Sequence, residues 1–297
     1  MRIVVTGATG FLGRPLVARL VRDGHAVTAL VRHPERMARE GVRAEKYDAR
    51  SPLRPGMLAG HDAVVHLAGE SIARRWTEAQ KALILESRSM GTASVAKAAI
   101  EAKTVKVLLS ASAVGYYGPR GGEELIEDSP PGDDFLARVC VAWEGAADPA
   151  SLAGIRTVRL RSGIVLHPEG GALRRMLVAF RLGVGGRVGS GRQYMSWIHR
   201  EDWIALCVHC LHSDAFIGPV NFTAPNPVTN REFTKALGGV LRRPTLFAAP
   251  AFALKAVFGE MATMLLDGQR AVPRHAQSHN FQFRFPKLHG ALTDLVR

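Results

Sequence analysis

A glycine-spaced turn near the amino terminus restricts this chain to few folds. The apolar run RIVV leads into TGATGFLG, where Gly7, Gly10 and Gly13 recur at every third position before an amphipathic helical pattern begins. Glycines so placed allow a tight turn, close approach of the backbone to a pyrophosphate, and close packing of a helix on a strand. The helix N-terminus adds free N–H groups and a partial positive charge. The stretch therefore predicts a dinucleotide-binding turn.

Apolar strands and helical patterns alternate through the first half of the chain. A long helix is predicted from about Thr77 to Ala102. Repeated strand–helix–strand units make a parallel sheet with right-handed crossovers. We therefore predict an α/β fold with a doubly wound parallel (Rossmann) sheet and ligands at the carboxyl ends of its strands. The predicted strands are rich in Val, Ile and Leu, as strands buried on both faces should be, and cover residues 2–7, 26–32, 62–69, 105–112 and 157–165.

The sequence changes character near Pro225, and we predict two units. Residues 1–222 form the Rossmann domain, and within it residues 167–200 contribute to a substrate cleft. Residues 223–297 form a smaller C-terminal subdomain that faces the substrate.

Three elements are predicted inside the C-terminal subdomain. A helix starts near Thr229 or Asn230, either of which can accept the first helical N–H groups. A second helix spans roughly residues 251–266. Alternating phenylalanines predict a half-buried strand over residues 280–285.

Charge and cysteine content limit the partners and the compartment. The formal net charge is +13, and residues 151–297 hold 19 Lys/Arg against 8 Asp/Glu. These cations are scattered singly or in pairs, without the stripe and interleaved aromatics of a nucleic-acid binder, so we expect an anionic cofactor or substrate or a solvated surface. Three cysteines make no disulfide framework, so the cytoplasm is the expected location. No apolar run approaches the ~20 residues of a membrane span, so we expect no membrane partner.

The stretch CVHCLH has spacing that resembles a metal site. Cys207 and Cys210 form a C-x-x-C, with His209 and His212 interleaved. A structural zinc usually has two separated pairs of ligands, and the remaining cysteine, Cys140, is distant in sequence. We therefore predict no metal and interpret both cysteines as small apolar residues on a buried helix face.

The end of the second strand distinguishes one dinucleotide from another. Enzymes that use NAD usually place Asp or Glu there, whereas this chain has Val31, Arg32 and His33. Arginine suits the extra 2′-phosphate of NADP, so we predict NADP(H), with a solvated arginine as the alternative interpretation. A further strand is predicted between residues 26–32 and 62–69, ending in the stretch KYDAR, and Asp48, which follows it, is placed to meet the adenine edge.

Further motifs extend the pattern from Arg2 to about Leu295. They are HLAGE, RRW, ESR..GT, SASAVGYYG, WE.AA, RSGIVL, GSGRQYMSWIH.ED, NFTAP.PVTN.EF, GQRAVP and FQFRFP. Together with the glycine turn they resemble the extended short-chain dehydrogenase/reductase superfamily, and more narrowly its atypical, epimerase-like branch of oxidoreductases. The resemblance implies NADP(H) binding and a C-terminal subdomain over the nicotinamide end.

The turn, the strand ends and the resemblance together give a set of expected cofactor contacts. Arg88 takes the place of a superfamily asparagine, where a cation would neutralise phosphate charge, unless it lies on exposed helix surface. Leu83 is expected near the adenosine and Val165 near the nicotinamide. The full set of predicted cofactor-binding residues is Gly7, Thr9, Gly10, Phe11, Leu12, Gly13, Val31, Arg32, His33, Leu67, Ala68, Gly69, Glu70, Leu83, Arg88, Ser110 and Val165.

The superfamily's usual proton donor is missing. That mechanism needs a Tyr and a Lys four residues apart on one helical face, so that the ammonium lowers the pKa of the phenol. Within DDFLARVCVAWEGAA, Leu136 and Cys140 take these places when Glu144 is aligned with the acid that often follows the lysine. A shift by one residue gives Phe135 and Val139 instead. We therefore interpret this helix as a packing element.

Other polar groups near the predicted nicotinamide end could exchange the proton. Ser112 ends the strand predicted over residues 105–112, where the superfamily keeps a substrate-binding hydroxyl, and Tyr116 follows in a short turn; these two are the predicted catalytic residues. Tyr117 precedes Gly118 and is expected to be structural. Glu70 and His199 are further candidates.

Two functions follow from these predictions. The first is an NADP(H)-binding, epimerase-like oxidoreductase that acts on a small molecule without the usual Tyr/Lys pair. The second is a non-catalytic NADP(H)-binding sensor or assembly module. We expect a small-molecule substrate and no nucleic acid. Dimers of the superfamily often use the helix that contains Trp143, so a homodimer is one arrangement; in the other, Trp143 packs inside the monomer.

Overall fold

A computed structural model describes residues 1–37 and 40–296. Its centre is a seven-stranded parallel sheet in the order β12-β7-β5-β4-β1-β2-β3. The strands are β1 (Arg2–Thr6), β2 (Ala26–Val31), β3 (Val42–Lys46), β4 (Ala63–His66), β5 (Val107–Ala113), β6 (Glu124–Leu125), β7 (Arg156–Ser162), β8 (Ile164–Leu166), β9 (Gly186–Val188), β10 (Tyr194–Met195), β11 (Trp197–His199), β12 (Gly218–Phe222), β13 (Val228–Thr229), β14 (Phe247–Ala249) and β15 (Arg270–Ala271).

Helices cover both faces of the sheet and build the C-terminal part. They are α1 (Gly13–Arg22), α2 (Glu78–Ala102), α3 (Phe135–Gly145), α4 (Asp148–Leu152), α5 (Gly171–Arg181), α6 (Arg200–His212), α7 (Asn230–Leu241), α8 (Ala251–Phe258), α9 (Thr263–Leu266), α10 (Arg274–Ser278) and α11 (Leu288–Val296). The predicted doubly wound Rossmann fold is therefore confirmed. The strand order reverses between β1 and β4, and ligands of such sheets bind at this point.

Alternate residues of each central strand face opposite sides of the sheet. Ile3 and Val5 enter a core that they share with α1 and α6, whereas Val4 enters the core on the other side. Both sets are fully buried, which explains why the central strands lack a polar alternation. A third core, to which Leu177 and Phe233 contribute, joins α5 to α7 and α11.

Side-chain caps fix where several helices begin. Thr77 and Asp134 accept the first free N–H groups of α2 and α3. Thr229 caps α7 in a reciprocal box, because its backbone N–H donates to Glu232 while its hydroxyl accepts from the N–H of that residue. Of the two caps considered from sequence, Thr229 is the one that forms.

The strand predicted over residues 280–285 is wrong. The N–H groups of Arg284 and Phe285 donate to the carboxylate of Asp202 at 2.8 and 2.9 Å, so this backbone has no need of a neighbouring strand. The phenylalanine rings that suggested alternation divide between two cores.

The helix predicted over residues 251–266 is interrupted. α8 ends at Phe258, and Gly259 has a φ of +61°, a left-handed conformation that stops an α-helix. A 3₁₀ turn over Gly259–Ala262 then leads into α9.

The CVHCLH stretch lies on α6, with Cys207 and Cys210 buried as free thiols. Across residues 1–37 and 40–296, no group of His, Cys, Asp and Glu side chains is arranged to hold a metal. None of the helices described there has the length and apolarity to cross a bilayer.

Candidate cofactor and substrate site

The first strand–helix turn has the shape that a bound pyrophosphate requires. Gly7 has a φ of +67°, and a Cβ there would lie 2.9 Å from the backbone of Leu67. A Cβ at Gly13 would overlap the carbonyl oxygen of Gly7. Leu12, which precedes α1, has no polar side chain to occupy the first N–H groups of the helix. The glycines thus keep open a cradle at a helix N-terminus, which fits an anionic phosphate.

A cavity of about 210 Å³ opens beside this turn, at the carboxyl ends of β1 to β4. Nine of the predicted cofactor-binding residues line it: Gly7, Thr9, Gly10, Val31, Arg32, Leu67, Ala68, Gly69 and Glu70. Asp48 also lines it, as expected of a group that meets the adenine edge. Lining residues that the sequence reasoning missed are Leu30, Tyr47, Ala49, Arg50 and Ser87. Tyr47, Ala49 and Arg50 flank Asp48 at the end of a predicted strand, so the strand-end rule could have found them.

Two guanidinium groups and one carboxylate share the end of the cavity next to β2 and β3. Arg50 donates two hydrogen bonds to Asp48, at 2.8 and 3.2 Å. These bonds, with a smaller contribution from the charge of Arg32, lower the pKa of Asp48 to about 2. Asp48 is therefore ionised and engaged with Arg50. Ion pairs in the described part of the chain do not include Arg32, which leaves its charge available to an anion.

Several predicted contacts lie outside this cavity. Leu83 is 40% exposed on α2, and Ser87, one turn further along the same helix, lines the cavity instead. This cavity therefore does not include Leu83, because a full helical turn separates that side chain from the cavity wall at Ser87. His33 is exposed and its ring lies 3.2 Å from Glu35.

The other predicted contacts outside the cavity are held by neighbouring elements. Phe11 packs against the Gly170–Gly171 backbone. Ser110 is buried on β5, and Val165 is buried on β8, in register with Ile198.

Arg88 is held beside the cavity without a carboxylate contact in the described residues. Its guanidinium lies 4.9 Å from the Trp143 ring and next to Gly69, and one nitrogen donates to the carbonyl of Ile84 at 3.1 Å. Burial lowers the pKa of this arginine. The placement excludes the exposed-surface interpretation and puts a cation directly behind a cavity-lining glycine.

Ser112 belongs to a buried ionic network. Its hydroxyl donates to Glu144 at 2.6 Å, and Glu144 accepts two hydrogen bonds from Arg161, both at 2.8 Å. Arg161 donates further to the Tyr117 hydroxyl at 3.0 Å and to the Glu127 carbonyl at 2.8 Å. Burial is the largest single influence on the pKa of Arg161 and lowers it, but the hydrogen bonds and charge of Glu144, together with the contact to Tyr117, outweigh burial and raise the pKa.

The two adjacent tyrosines have different surroundings. The Tyr117 hydroxyl is buried and donates to the side-chain oxygen of Asn221 at 2.7 Å, and burial raises its pKa to about 12. Tyr117 is therefore structural, as expected. Tyr116 is half-buried, and the guanidinium carbon of Arg161 lies 3.5 Å from the centre of its ring. Arg161 therefore places a cation against the half-buried ring of Tyr116 at the end of β5.

The helix that should bear the superfamily's Tyr and Lys packs apolar atoms against this turn. A Cβ at Gly115 would lie 3.5 Å from Leu136 and 3.9 Å from the sulfur of Cys140. Burial raises the pKa of Cys140 to about 12, so the thiol stays neutral. Trp143 is also buried within the monomer. α3 is the packing helix that the sequence indicated.

Of the further acid/base candidates, His199 is structural. Its Nδ1 accepts the N–H of Glu201 and so caps α6, and its ring stacks on Phe285 at 4.0 Å. Burial lowers its pKa to about 4. Glu70 lines the cavity beside the glycine turn and lies 3.6 Å from Arg74.

Comparison with known proteins identifies the class to which this fold and site belong. The model of the NAD dependent epimerase/dehydratase family matches residues 3–221, and a domain of unknown function, DUF1731, matches residues 249–295. The chain belongs to this epimerase family. Its predicted resemblance to the atypical extended short-chain dehydrogenases is confirmed.

Particular relatives match nearly the whole chain. The epimerase family protein MT2273 of Mycobacterium tuberculosis is 41% identical over 98% of this chain and 96% of its own length. The human epimerase family protein SDR39U1 is 39% identical over the full length of both chains. The crystal structure of human SDR39U1 with NADPH superposes with a TM-score of 0.88 at 38% identity, covering 99% of each chain.

Proposed function

We propose that this protein binds NADP(H) and exchanges hydride with a small molecule, as an epimerase-family oxidoreductase without the usual Tyr/Lys pair. The observation that supports the dinucleotide most strongly is the open glycine cradle at the start of α1, joined to a cavity that Arg32 enters. NADPH is the cofactor bound in the structure of human SDR39U1, which resembles this chain along its whole length.

Each part of the chain has a distinct task in this proposal. The Gly7–Gly13 turn and the N-terminus of α1 hold the pyrophosphate. Arg32 binds the 2′-phosphate, while Asp48, ionised and tied to Arg50, borders the adenine. Arg88, behind Gly69, adds positive charge to the same wall. Val165 is the proposed neighbour of the nicotinamide.

The proton transfer is assigned to the end of β5. The Ser112 hydroxyl already donates its proton to Glu144, so its oxygen is free to accept a hydrogen bond but not to give a second proton to substrate. Tyr116, half-buried beside Arg161, is therefore the proposed group that exchanges a proton with the substrate oxygen, and Ser112 orients that oxygen. The bound nicotinamide supplies the hydride chemistry.

Turnover in variants tests this assignment. Tyr116→Phe should lower turnover of NADPH with any accepted carbonyl substrate by about 10²-fold or more, because general acid catalysis typically contributes that much. Ser112→Ala should lower it less. Both variants should bind NADPH as tightly as the unmodified protein. Unchanged turnover in both variants would remove the β5 end from the mechanism.

The second candidate is a non-catalytic NADP(H)-binding module, and one observation favours it. The Tyr and Lys places hold Leu136 and Cys140, and both side chains pack against the turn that carries Tyr116. This candidate predicts tight NADPH binding with no turnover over a broad panel of aldehydes, ketones and sugar nucleotides. Turnover of any of them would exclude it.

Compartment and assembly also remain proposals. All three cysteines are free thiols, which supports a reducing compartment such as the cytoplasm. Trp143 packs inside the monomer, but Leu85, Met90 and Val141 are exposed on α2 and α3. A homodimer through these two helices would cover the exposed side chains.

A further inference from the structure

The segment around α8 exposes large apolar side chains. Leu246, Phe247, Phe252 and Val257 are 87%, 60%, 77% and 64% exposed. α8 has the sequence AFALKAVF, and none of its residues is buried. We call these four side chains the α8 surface. An amphipathic helix normally buries one face in its own domain, so an apolar helix with no buried residue indicates a surface that another body covers.

The apolar surface continues onto the neighbouring strand. β14 pairs in parallel with β9, and Phe247 lies opposite Gly186. Leu246 directly precedes Phe247 and Val184 lies two residues before Gly186, so the pairing brings these two side chains to the same end of the two-stranded sheet; Val184 is 57% exposed and Leu182, just before it in the chain, is 73% exposed. Two chain segments distant in sequence therefore contribute to one exposed apolar area.

The two chain segments that carry this area are rich in positive charge, and the nearest acid beyond them, Glu260, is paired with Lys81. Residues 171–195 contain five Lys/Arg and no Asp/Glu, and residues 230–258 contain five Lys/Arg and one Glu, so the two segments contribute +9 of the net +13. The single acid, Glu232, is held in the cap of α7. In the described part of the chain, the ion pairs include none of these ten cations.

Four of the ten cations are fixed close to the α8 surface. Arg242 and Arg243 directly precede the Pro244–Leu246 approach to β14. Arg187 is opposite Ala248 in the β9–β14 pair, and Lys255 lies within α8 itself. The long aliphatic parts of these Lys and Arg side chains allow their charges to contact anions while the apolar side chains of the α8 surface are buried away from water.

The combination of exposed apolar side chains and nearby cations favours one kind of binding partner over others. A second copy of the chain would bring the same cations face to face across a two-fold axis, and this repulsion opposes self-association. A nucleic acid would meet aliphatic Leu246 and Val257 where its bases need stacking or hydrogen-bonding partners. A bilayer with anionic headgroups takes apolar side chains into its interface and attracts each nearby Lys or Arg by about 1 kcal/mol.

We propose that the α8 surface docks this protein on anionic lipid bilayers, with Phe247 and Phe252 entering the interface and the surrounding cations contacting headgroups. Such binding is interfacial and does not cross the bilayer, so it does not require a long run of apolar residues. It revises the expectation, drawn from the lack of such a run, that the chain has no membrane partner. The contact is independent of turnover.

Vesicle sedimentation with the full-length protein tests the proposal. The protein should bind vesicles of equal parts phosphatidylcholine and phosphatidylglycerol, should bind phosphatidylcholine vesicles at least about tenfold more weakly, and should be released by high salt. Phe252→Glu should weaken binding to the anionic vesicles by roughly tenfold or more, because it replaces an apolar contact with a like charge. The double variant Arg242→Glu/Arg243→Glu should have a similar effect.

Leu152→Glu is the matched control, because Leu152 is 89% exposed on α4, outside the α8 surface. This variant makes the same change of charge and should bind vesicles nearly as the unmodified protein does. All variants should keep NADPH binding, which confirms that they are folded. The proposal is overturned if the unmodified protein does not bind anionic vesicles, or if Phe252→Glu and Leu152→Glu change vesicle binding equally. It is also overturned if analytical ultracentrifugation shows a dimer of the unmodified protein that Phe252→Glu abolishes.

Discussion

Replacing Glu144 by glutamine should destabilise the protein strongly, because it leaves a buried cation without its counter-charge. The side chains of Arg161 and Glu144 are 4% and 9% exposed, and two hydrogen bonds of 2.8 Å join them. Breaking a buried pair by removing one partner typically costs 3–5 kcal/mol. The amide of Glu144→Gln still accepts one bond, so we expect a loss of about 3 kcal/mol in the free energy of unfolding.

Urea denaturation followed by far-ultraviolet circular dichroism measures this loss. Glu123→Gln is the control, because Glu123 pairs with Arg120 at 2.7 Å but its side chain is 49% exposed. An exposed pair contributes about 0–1 kcal/mol, so this variant should change stability by less than that. Replacing both Glu144 and Arg161 by leucine and methionine should cost less than the sum of the two single changes. Equal losses in Glu144→Gln and Glu123→Gln would refute the buried-pair argument.

Two further changes test other parts of the structure. Gly13→Val should abolish nucleotide binding, measured by NADPH fluorescence, because a Cβ at Gly13 overlaps the Gly7 carbonyl; retained affinity would contradict the cradle. The free energy of unfolding should fall as the pH drops from about 6.5 to about 4. Burial lowers the pKa of His66 from 6.5 to about 4, so in this pH range the unfolded chain binds a proton at His66 that the folded chain does not bind. His66 contributes about 3 kcal/mol over that range, so His66→Gln should reduce the pH dependence of urea unfolding, while His199, whose pKa burial also lowers to about 4, keeps part of it; an unchanged slope would show that His66 does not contribute.

The central sheet and the cofactor turn could be predicted from the sequence because both depend on local patterns. Strands buried on both faces are uniformly apolar, and the glycines of TGATGFLG are spaced for one kind of turn. The same reasoning identified α3 as a packing helix, since the spacing of Tyr and Lys can be checked residue by residue. Hydrophobic periodicity and residue spacing predict the local structure of a segment, which depends on residues close to it in the sequence.

The Ser112–Glu144–Arg161 network could not be predicted in this way, because its members are 17 to 49 residues apart and meet through the sheet. A guanidinium inside the buried strand TVRLRSG was nevertheless a signal that an acid must lie opposite. The strand predicted over residues 280–285 failed for a related reason. Its N–H groups bind Asp202, a partner far away in sequence that no local pattern reveals.

The affinity for NADPH and NADH before and after Arg32→Asp tests the central claim most directly. Equilibrium titration of nicotinamide fluorescence should show that the unmodified protein prefers NADPH. Arg32→Asp should weaken NADPH binding by roughly 100-fold, since a hydrogen bond to a charged group contributes about 1.5–3 kcal/mol and the new carboxylate adds repulsion, while NADH binding should change little. Equal losses for both nucleotides would contradict the assignment of Arg32 to the 2′-phosphate, and no binding of either would contradict the proposed cofactor site itself.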